Sequence, residues 1–241
     1  IYEKLYFMNL FKLIRYFIAS LLSFFRTRVI IWNYINRSGR SMFKKNIPDL
    51  DKLQEKVVED LLSKGISLVN LDEIFPKDNM LALLHESINQ DNFVGKTQPR
   101  KPFLSHYWAE PSQQEPELDI ENPFIQLSLD PRILDIVNSY MKTYSKLIYF
   151  DLAKTSPIGI EKNPVASQRW HRDAGLKKII KVFIYLNDVD EDSGPFKYVS
   201  SSHQIGSLRK LFPQKQFGRH GYYPPEGYVE KNVSENDIKC C

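Results

Sequence analysis

The spacing of the apolar residues changes once along this 241-residue chain, near residue 143. Before that point apolar residues recur every three or four positions, which predicts amphipathic helices. Beyond it they alternate or form short runs, which predicts β-strands. Helices followed by strands are typical of an α+β domain with an antiparallel sheet or barrel. The predicted helices cover residues 48–65, 78–88 and 131–143, the predicted strands cover residues 66–69, 146–154, 179–186 and 196–199, and a loop is predicted over residues 95–123.

The strongest strand signal is the run IIKVFIYL at residues 179–186. Alternate side chains of an extended chain point to opposite faces. One face would be wholly apolar and suited to burial against the helices, and it consists of Ile180, Val182, Ile184 and Leu186. The other face carries Lys181, Phe183 and Tyr185, which could meet a polar ligand in a barrel lumen.

The charge of the chain is unevenly distributed. The net charge is +4, but residues 1–46 hold nine basic residues against one acidic residue. That segment therefore carries +8, and the remainder carries −4. The basic character belongs to the N-terminal segment, so the overall pI of about 8.8 does not indicate nucleic-acid binding by the body of the protein.

The same N-terminal segment is apolar and aromatic. Lys12 and Arg15 interrupt it, and its longest uncharged run is ten residues, 16–25, against the roughly 20 that a spanning helix needs. The sequence after that run is wrong for a signal-peptide cleavage site. An interfacial amphipathic helix near lipid phosphates is one interpretation, and a helix docked on the domain is an equal one. A membrane span and a stretch upstream of the true start are the remaining alternatives.

The cysteine content and the absence of nucleotide-binding motifs limit which classes of protein this chain can belong to. The two cysteines, Cys240 and Cys241, are adjacent, so the chain has no disulfide framework and a cytoplasmic location is expected, with possible membrane association through residues 1–46. No zinc-finger spacing, P-loop or GxGxxG motif is present in the sequence.

The segment QRWHRD at residues 168–173 places His171 and Asp173 two positions apart. On an extended chain both side chains can meet one metal ion. Imidazole with a carboxylate suits a non-haem Fe(II) site that has two histidine ligands and one carboxylate. The motif alone is weak, since about 0.3 such pairs are expected by chance, and an aspartate hydrogen-bonded to a surface histidine is the simpler interpretation.

Further stretches match a known pattern in order: WHRD at 170–173, KVFIYLNDV at 181–189, SGPF at 193–196 and YVSSSH at 198–203. This succession resembles the phytanoyl-CoA dioxygenase-like family of Fe(II)- and 2-oxoglutarate-dependent oxygenases. Lys154 followed by residues 156–159 is similar to the lysine-proline-glycine stretch that precedes the metal motif in that family. The resemblance covers residues 145–205 well and residues 48–143 loosely, and it does not reach residues 1–46.

The resemblance implies a double-stranded β-helix, a jelly-roll or cupin-like barrel, with helices packed outside. It divides the chain into the basic apolar segment 1–46 and an oxygenase-like domain 47–241, helical over 47–143 and barrel over 144–241. By matching position, His171 and Asp173 would be two of the three iron ligands. Tyr185 would be the candidate contact of 2-oxoglutarate, although a tyrosine merely packed in the barrel is the simpler reading.

The third iron ligand has no good candidate in this sequence. His203 lies in the stretch that closes a strand in the family and does not bind metal there, and His220 lies in a loop rich in Gly, Pro and Tyr. We therefore expect the last barrel strands, with that histidine and a basic residue for 2-oxoglutarate, to lie beyond Cys241.

The resemblance implies a dioxygenase that uses Fe(II), 2-oxoglutarate and O2 to hydroxylate a small organic or lipid-like substrate. No nucleic-acid partner is expected, and the oligomeric state is open. Two alternatives stay open: a non-catalytic barrel that serves as a binding module, and a cupin-like metalloenzyme that does not use 2-oxoglutarate.

Overall fold

The structure is a computed structural model that describes part of the chain. That part comprises residues 14–15, 17–18, 21–22, 24–25, 28–90, 98–101, 104–106, 120–148, 152–155, 168–173, 177–190, 193–213 and 222–240. The first eight of these residues are helical. The α-helices that follow are α1 Val29–Ile35, α2 Arg37–Lys45, α3 Lys52–Ser63, α4 Leu71–Ile74, α5 Met80–Gln90, α6 Pro123–Leu129, α7 Pro131–Met141 and α8 Tyr228–Asn232.

Local capping explains where the main helices begin. The Asp51 carboxylate accepts a hydrogen bond from the backbone N–H of Gln54, and the Gln54 side chain accepts one from the backbone N–H of Asp51, which together start α3. α7 begins with Pro131 after the Asp130 cap. Gly65, with φ at +79°, lies just after α3, where an αL residue ends a helix. The helices predicted at 48–65, 78–88 and after residue 130 are thereby confirmed within a few residues.

Helices and one extended segment enclose the helical core. Phe75 and Leu84 lie at its centre with 1% and 0% of their surface exposed. The other buried members are Met80, Leu127, Ile133 and Val137. Ile180, Ile184 and Leu186 pack against the same cluster from outside. The apolar face predicted for residues 179–186 therefore does face the helices, except that Val182 is 54% exposed.

The strands are short and form two small antiparallel sheets. One sheet has the order β1 Gln98–Lys101, β2 Leu104–His106 and β3 Ala153–Thr155, with Leu104 opposite Thr155. In the other, β4 Lys197–Val199 pairs with β5 Ile238–Cys240, Val199 opposite Ile238.

The double-stranded β-helix barrel predicted for residues 144–241 is wrong: the structure is mostly helical, and its described residues form only the two small sheets and no such barrel. The segment 179–186 is not a strand, since no described residue forms a backbone hydrogen-bond ladder with it. Helices bury part of its apolar face, so this burial needs no sheet partner among the described residues. Residues 66–69 are likewise not a strand, and the loop predicted over 95–123 contains β1 and β2 and leads into α6.

The second cluster, the C-terminal core, has its buried residues in the part of the chain after residue 198 and includes residues next to and within α8. It is formed by Val199, Phe212, Val229 and Val233. The segment between β4 and the 3-10 helix Ser207–Lys210 also closes the end of α3. Ser201 donates its backbone N–H to the Lys64 carbonyl (2.7 Å), and a ring nitrogen of His203 lies 3.0 Å from the Leu62 carbonyl. These contacts supply donors to carbonyls that a helix end leaves without partners.

We expect Gly206→Ala to lower the free energy of unfolding by about 2–3 kcal/mol, because a Cβ there would overlap the Ser201 carbonyl. That carbonyl accepts from the Leu208 N–H at 3.0 Å and cannot move freely. Gly194→Ala is the control: its φ is +73° but no other atom lies within 4 Å, so a loss of about 1 kcal/mol is expected. Urea unfolding followed by circular dichroism measures both, and equal losses would contradict the packing argument.

None of the described helices is both long enough and apolar enough to cross a membrane.

Candidate functional site

The segment 168–173 has an inward and an outward side. Trp170 packs against the C-terminal core and donates its indole N–H to Glu230 at 3.2 Å. Arg172 is also directed towards the protein, whereas His171 and Asp173 lie on the outward side. This alternation is what an extended chain imposes, and it brings the two candidate ligands together.

Arg172 holds the segment in place. Its backbone N–H donates to the Tyr222 carbonyl (2.8 Å), and the Tyr222 N–H donates back at 2.9 Å. Its guanidinium donates to the carbonyls of Phe212 (2.6 Å) and Ser202 (3.1 Å). Burial lowers the pKa of Arg172 from its ordinary value, but an arginine stays charged in proteins. The side chain and the backbone of Arg172 together fix the segment to three residues, Ser202, Phe212 and Tyr222.

The ring of His171 is oriented by contacts on two sides. Nδ1 lies 2.8 Å from the Arg169 carbonyl oxygen, and because a carbonyl only accepts, Nδ1 carries the proton. The ring stacks on Tyr223 with centroids 5.5 Å apart and planes inclined by 21°. In the neutral ring Nε2 therefore has a free lone pair. A backbone carbonyl on the other ring nitrogen is the usual support of a metal-binding histidine.

Asp173 lies between His171 and Lys181. Its Oδ1 is 3.7 Å from His171 Nε2, too far for a hydrogen bond but close enough for both atoms to reach one cation. Its Oδ2 accepts from Lys181 Nζ at 2.6 Å. The side chains of Lys181 and Asp173 are 36% and 47% exposed, so this ion pair contributes at most about 1 kcal/mol to stability. One carboxylate oxygen is occupied, and the other faces the histidine.

A row of aromatic rings continues from Lys181 along the outward face. Phe183 stacks on Phe196 (4.9 Å between centroids), and Phe196 lies 6.5 Å from the Tyr198 ring. Phe183 is 58% exposed, so the row presents apolar surface to solvent beside the His171–Asp173 pair.

Tyr185, the predicted 2-oxoglutarate contact, lies at the far end of this row. Its hydroxyl accepts the backbone N–H of Phe196 at 2.9 Å. An extended chain rises about 3.3 Å per residue, so Tyr185 is about 13 Å along the segment from Lys181. Lys181 touches Asp173, and it is therefore better placed than Tyr185 to meet a ligand bound at that carboxylate.

His171 and Asp173 can together occupy two coordination positions of a metal ion. No group of three or more His, Cys, Asp and Glu side chains that could hold a metal occurs among the described residues. His203 is used at the end of α3, and His220 lies outside the described residues. The pair therefore offers two donor atoms to a metal ion, Nε2 of His171 and Oδ1 of Asp173. The described residues offer no third protein ligand beside them.

Comparisons of the chain with protein-family models, with curated proteins and with solved structures found no match.

Sequence reasoning singled out His171 and Asp173 but missed the residues that support them. Lys181 was placed on the right face, yet nothing in its spacing from Asp173 indicated an ion pair eight residues away. The support given by Arg172 and Tyr223 depends on a backbone bridge across 50 positions, which no local pattern reports.

Proposed function

We propose that this chain uses His171 and Asp173 as two ligands of an Fe(II) site in a 2-oxoglutarate-dependent dioxygenase. The observation that carries the proposal is the separation of 3.7 Å between Nε2 of His171, the ring nitrogen that does not contact the Arg169 carbonyl, and Oδ1 of Asp173. A nitrogen and a hard carboxylate oxygen, without thiolate, are the donors that non-haem Fe(II) takes. The resemblance of residues 145–205 to the phytanoyl-CoA dioxygenase-like family supports the same choice.

The supporting residues each have a definite task under this proposal. The Arg169 carbonyl and Tyr223 keep the imidazole in one orientation, and Arg172 keeps the segment in place. Lys181 holds Oδ2 of Asp173, so that Oδ1 alone is directed at the metal position. Iron, 2-oxoglutarate and O2 supply the oxidising chemistry when bound, and the protein contributes orientation and exclusion of water.

The substrate class follows from the surface beside the pair. Phe183 and Phe196 offer stacked, partly exposed rings there, which suits a substrate with an apolar portion. We therefore propose hydroxylation of a small organic or lipid-like molecule.

The proposal requires one further protein ligand from side chains outside the described set. Two histidines of the chain have such side chains, His106 in β2 and His220. Alanine at each position tests them separately, and the ligand is the one whose loss abolishes iron binding. If iron still binds to both alanine variants, the third ligand is neither of these histidines.

A second candidate function is a non-catalytic binding module. It is favoured by the Lys181–Asp173 ion pair, since a carboxylate already neutralised at 2.6 Å does not need a metal ion. It is favoured also by the two-donor set among the described residues.

Anaerobic titration with Fe(II) and 2-oxoglutarate distinguishes the dioxygenase from the binding module. We expect the unmodified protein to develop a saturable visible charge-transfer band, and Asp173→Ala to lose it because the only carboxylate donor of the pair is removed. Asp188→Ala is the matched control, since Asp188 is an exposed carboxylate on the same stretch of chain, and it should keep the band. Absence of the band from the unmodified protein, or its persistence in Asp173→Ala, would reject the iron site and leave the binding module.

A further inference from the structure

The described helical residues between 14 and 25 expose an apolar stripe. Its members follow the spacing of one helix face, i, i+3, i+4, i+7, i+8 and i+11. Between 41% and 67% of each side chain is exposed. A stripe of this kind normally faces a core, and here it faces solvent. It consists of Ile14, Phe17, Ile18, Leu21, Leu22 and Phe25.

The exposed apolar surface continues into α1. The Arg28 backbone N–H donates to the Phe25 carbonyl at 3.1 Å, and Arg28 is the N-cap residue of α1. Beyond Arg28, Val29 is 52% exposed and Ile30 is 83% exposed. Large patches of this kind on a folded protein mark interaction surfaces.

A cluster of cations adjoins this surface where α1 meets the body of the protein. Trp32 of α1 is buried, and two cations approach its ring: Lys178 Nζ at 5.4 Å and Arg40 Cζ at 5.7 Å from the ring centroid. Lys177 precedes Lys178, and Lys142 follows α7. We call Arg40, Lys142, Lys177 and Lys178 the cationic cluster. It gathers residues 40, 142, 177 and 178 from distant parts of the sequence.

The described part of the chain gives the cationic cluster no acidic partner. Among the described residues, none of its four members forms an ion pair. Lys178 donates to the Met141 carbonyl, at 3.4 Å. Burial, and after it the charges of Lys142, Arg40 and Lys177, lower the pKa of Lys178, and burial with Arg172 and Arg28 lowers that of Lys177. The charged lysines are thus held at a cost that a bound anion would offset.

We infer that the apolar stripe and the cationic cluster together bind the surface of a bilayer that contains anionic phospholipids. The stripe would enter the boundary between headgroups and acyl chains, and the cluster would contact the phosphates. Charge complementarity selects this occupant: residues 1–46 carry +8, and the body adds three lysines that form no ion pair with a described residue. The inference does not depend on the proposed iron site.

The test is flotation of the full chain with vesicles of phosphatidylcholine alone and of phosphatidylcholine with about 30% phosphatidylserine. We expect binding to the anionic vesicles and little to the neutral ones. Because a basic side chain near an anionic surface contributes about fivefold in affinity, Lys177→Gln with Lys178→Gln should weaken binding about thirtyfold. Lys56→Gln with Lys231→Gln removes the same charge from exposed sites on α3 and α8 and is expected to change binding less than threefold.

Two further double variants test whether the apolar stripe contributes to vesicle binding. Phe17→Ser with Leu21→Ser should reduce flotation at least tenfold. Ile120→Ser with Val182→Ser, which also replaces exposed apolar side chains, should leave it unchanged. Inorganic phosphate at millimolar concentration should not release the protein, since the stripe needs a bilayer. Asp173→Ala should float like the unmodified chain, which separates this inference from the iron site.

Three results would overturn the inference. The first is equal binding to neutral and anionic vesicles. The second is a stable dimer in sedimentation that does not float and that the Phe17→Ser, Leu21→Ser variant dissociates, since a second copy would then cover the stripe. The third is binding to RNA that matches or exceeds binding to anionic vesicles at equal phosphate concentration.

Discussion

Replacing Phe75 with alanine is expected to lower the free energy of unfolding by about 3–5 kcal/mol. The ring is 1% exposed at the centre of the helical core. Its removal would leave a cavity among residues from separate helices, which cannot all move inward together. The Arg132 guanidinium, 4.1 Å from the ring centroid, would also lose its aromatic partner. Urea unfolding monitored by circular dichroism gives the difference.

The matched control for Phe75 is Phe183→Ala. Phe183 is 58% exposed and stacks on Phe196 alone among the described rings. We expect a loss of no more than about 1 kcal/mol, from one aromatic pair. Similar losses at both positions would mean that the helical core does not dominate the stability of this chain.

The helices could be predicted from sequence because their signals are local. The capping pair Asp51 and Gln54 and the Asp130-Pro131 start lie within a few residues of the turns they begin. The face of residues 179–186 that meets the helices could be predicted as well, since an alternating pattern fixes which side chains share a side. Local patterns therefore located the elements that form the helical core.

The barrel was predicted wrongly because the sequence pattern of one strand does not show which other segment pairs with it. Residues 179–186 have the composition and alternation of a strand, but a strand also needs a neighbour that accepts its backbone hydrogen bonds. In the described part of the chain, helices cover one face of this segment and no strand lies beside it. Pairing between distant stretches such as β4 and β5 depends on the whole topology, which the pattern of one segment does not contain.

In the candidate site, too, local features could be predicted from the sequence and long-range contacts could not. His171 and Asp173 were brought to one side by a rule that involves only neighbouring residues. Lys181, Tyr223 and Arg172 act across separations of eight to 52 positions, so their contribution emerged only from the fold. The pairing of His171 and Asp173 could thus be predicted from the sequence, whereas the residues that hold them in place could not.

Arg172→Met is expected to lower the free energy of unfolding by about 3–6 kcal/mol and to weaken iron binding where the protein is still folded. Methionine fills a similar volume but leaves the carbonyls of Phe212 and Ser202 without their charged donor. A hydrogen bond from a charged group contributes about 1.5–3 kcal/mol, and two are lost here. The backbone bridge to Tyr222 would hold the segment less firmly, and Tyr223 with it.

Arg169→Ala is the control for Arg172, because Arg169 is exposed and its guanidinium only approaches the Tyr223 ring, at 5.7 Å. Its loss should change stability by about 0.5–1 kcal/mol at most. The charge-transfer titration is then repeated on Arg172→Met at a temperature where circular dichroism shows it fully folded. A weaker band would show that Arg172 positions His171 and Asp173, whereas an unchanged band in a destabilised protein would restrict Arg172 to holding the C-terminal core together.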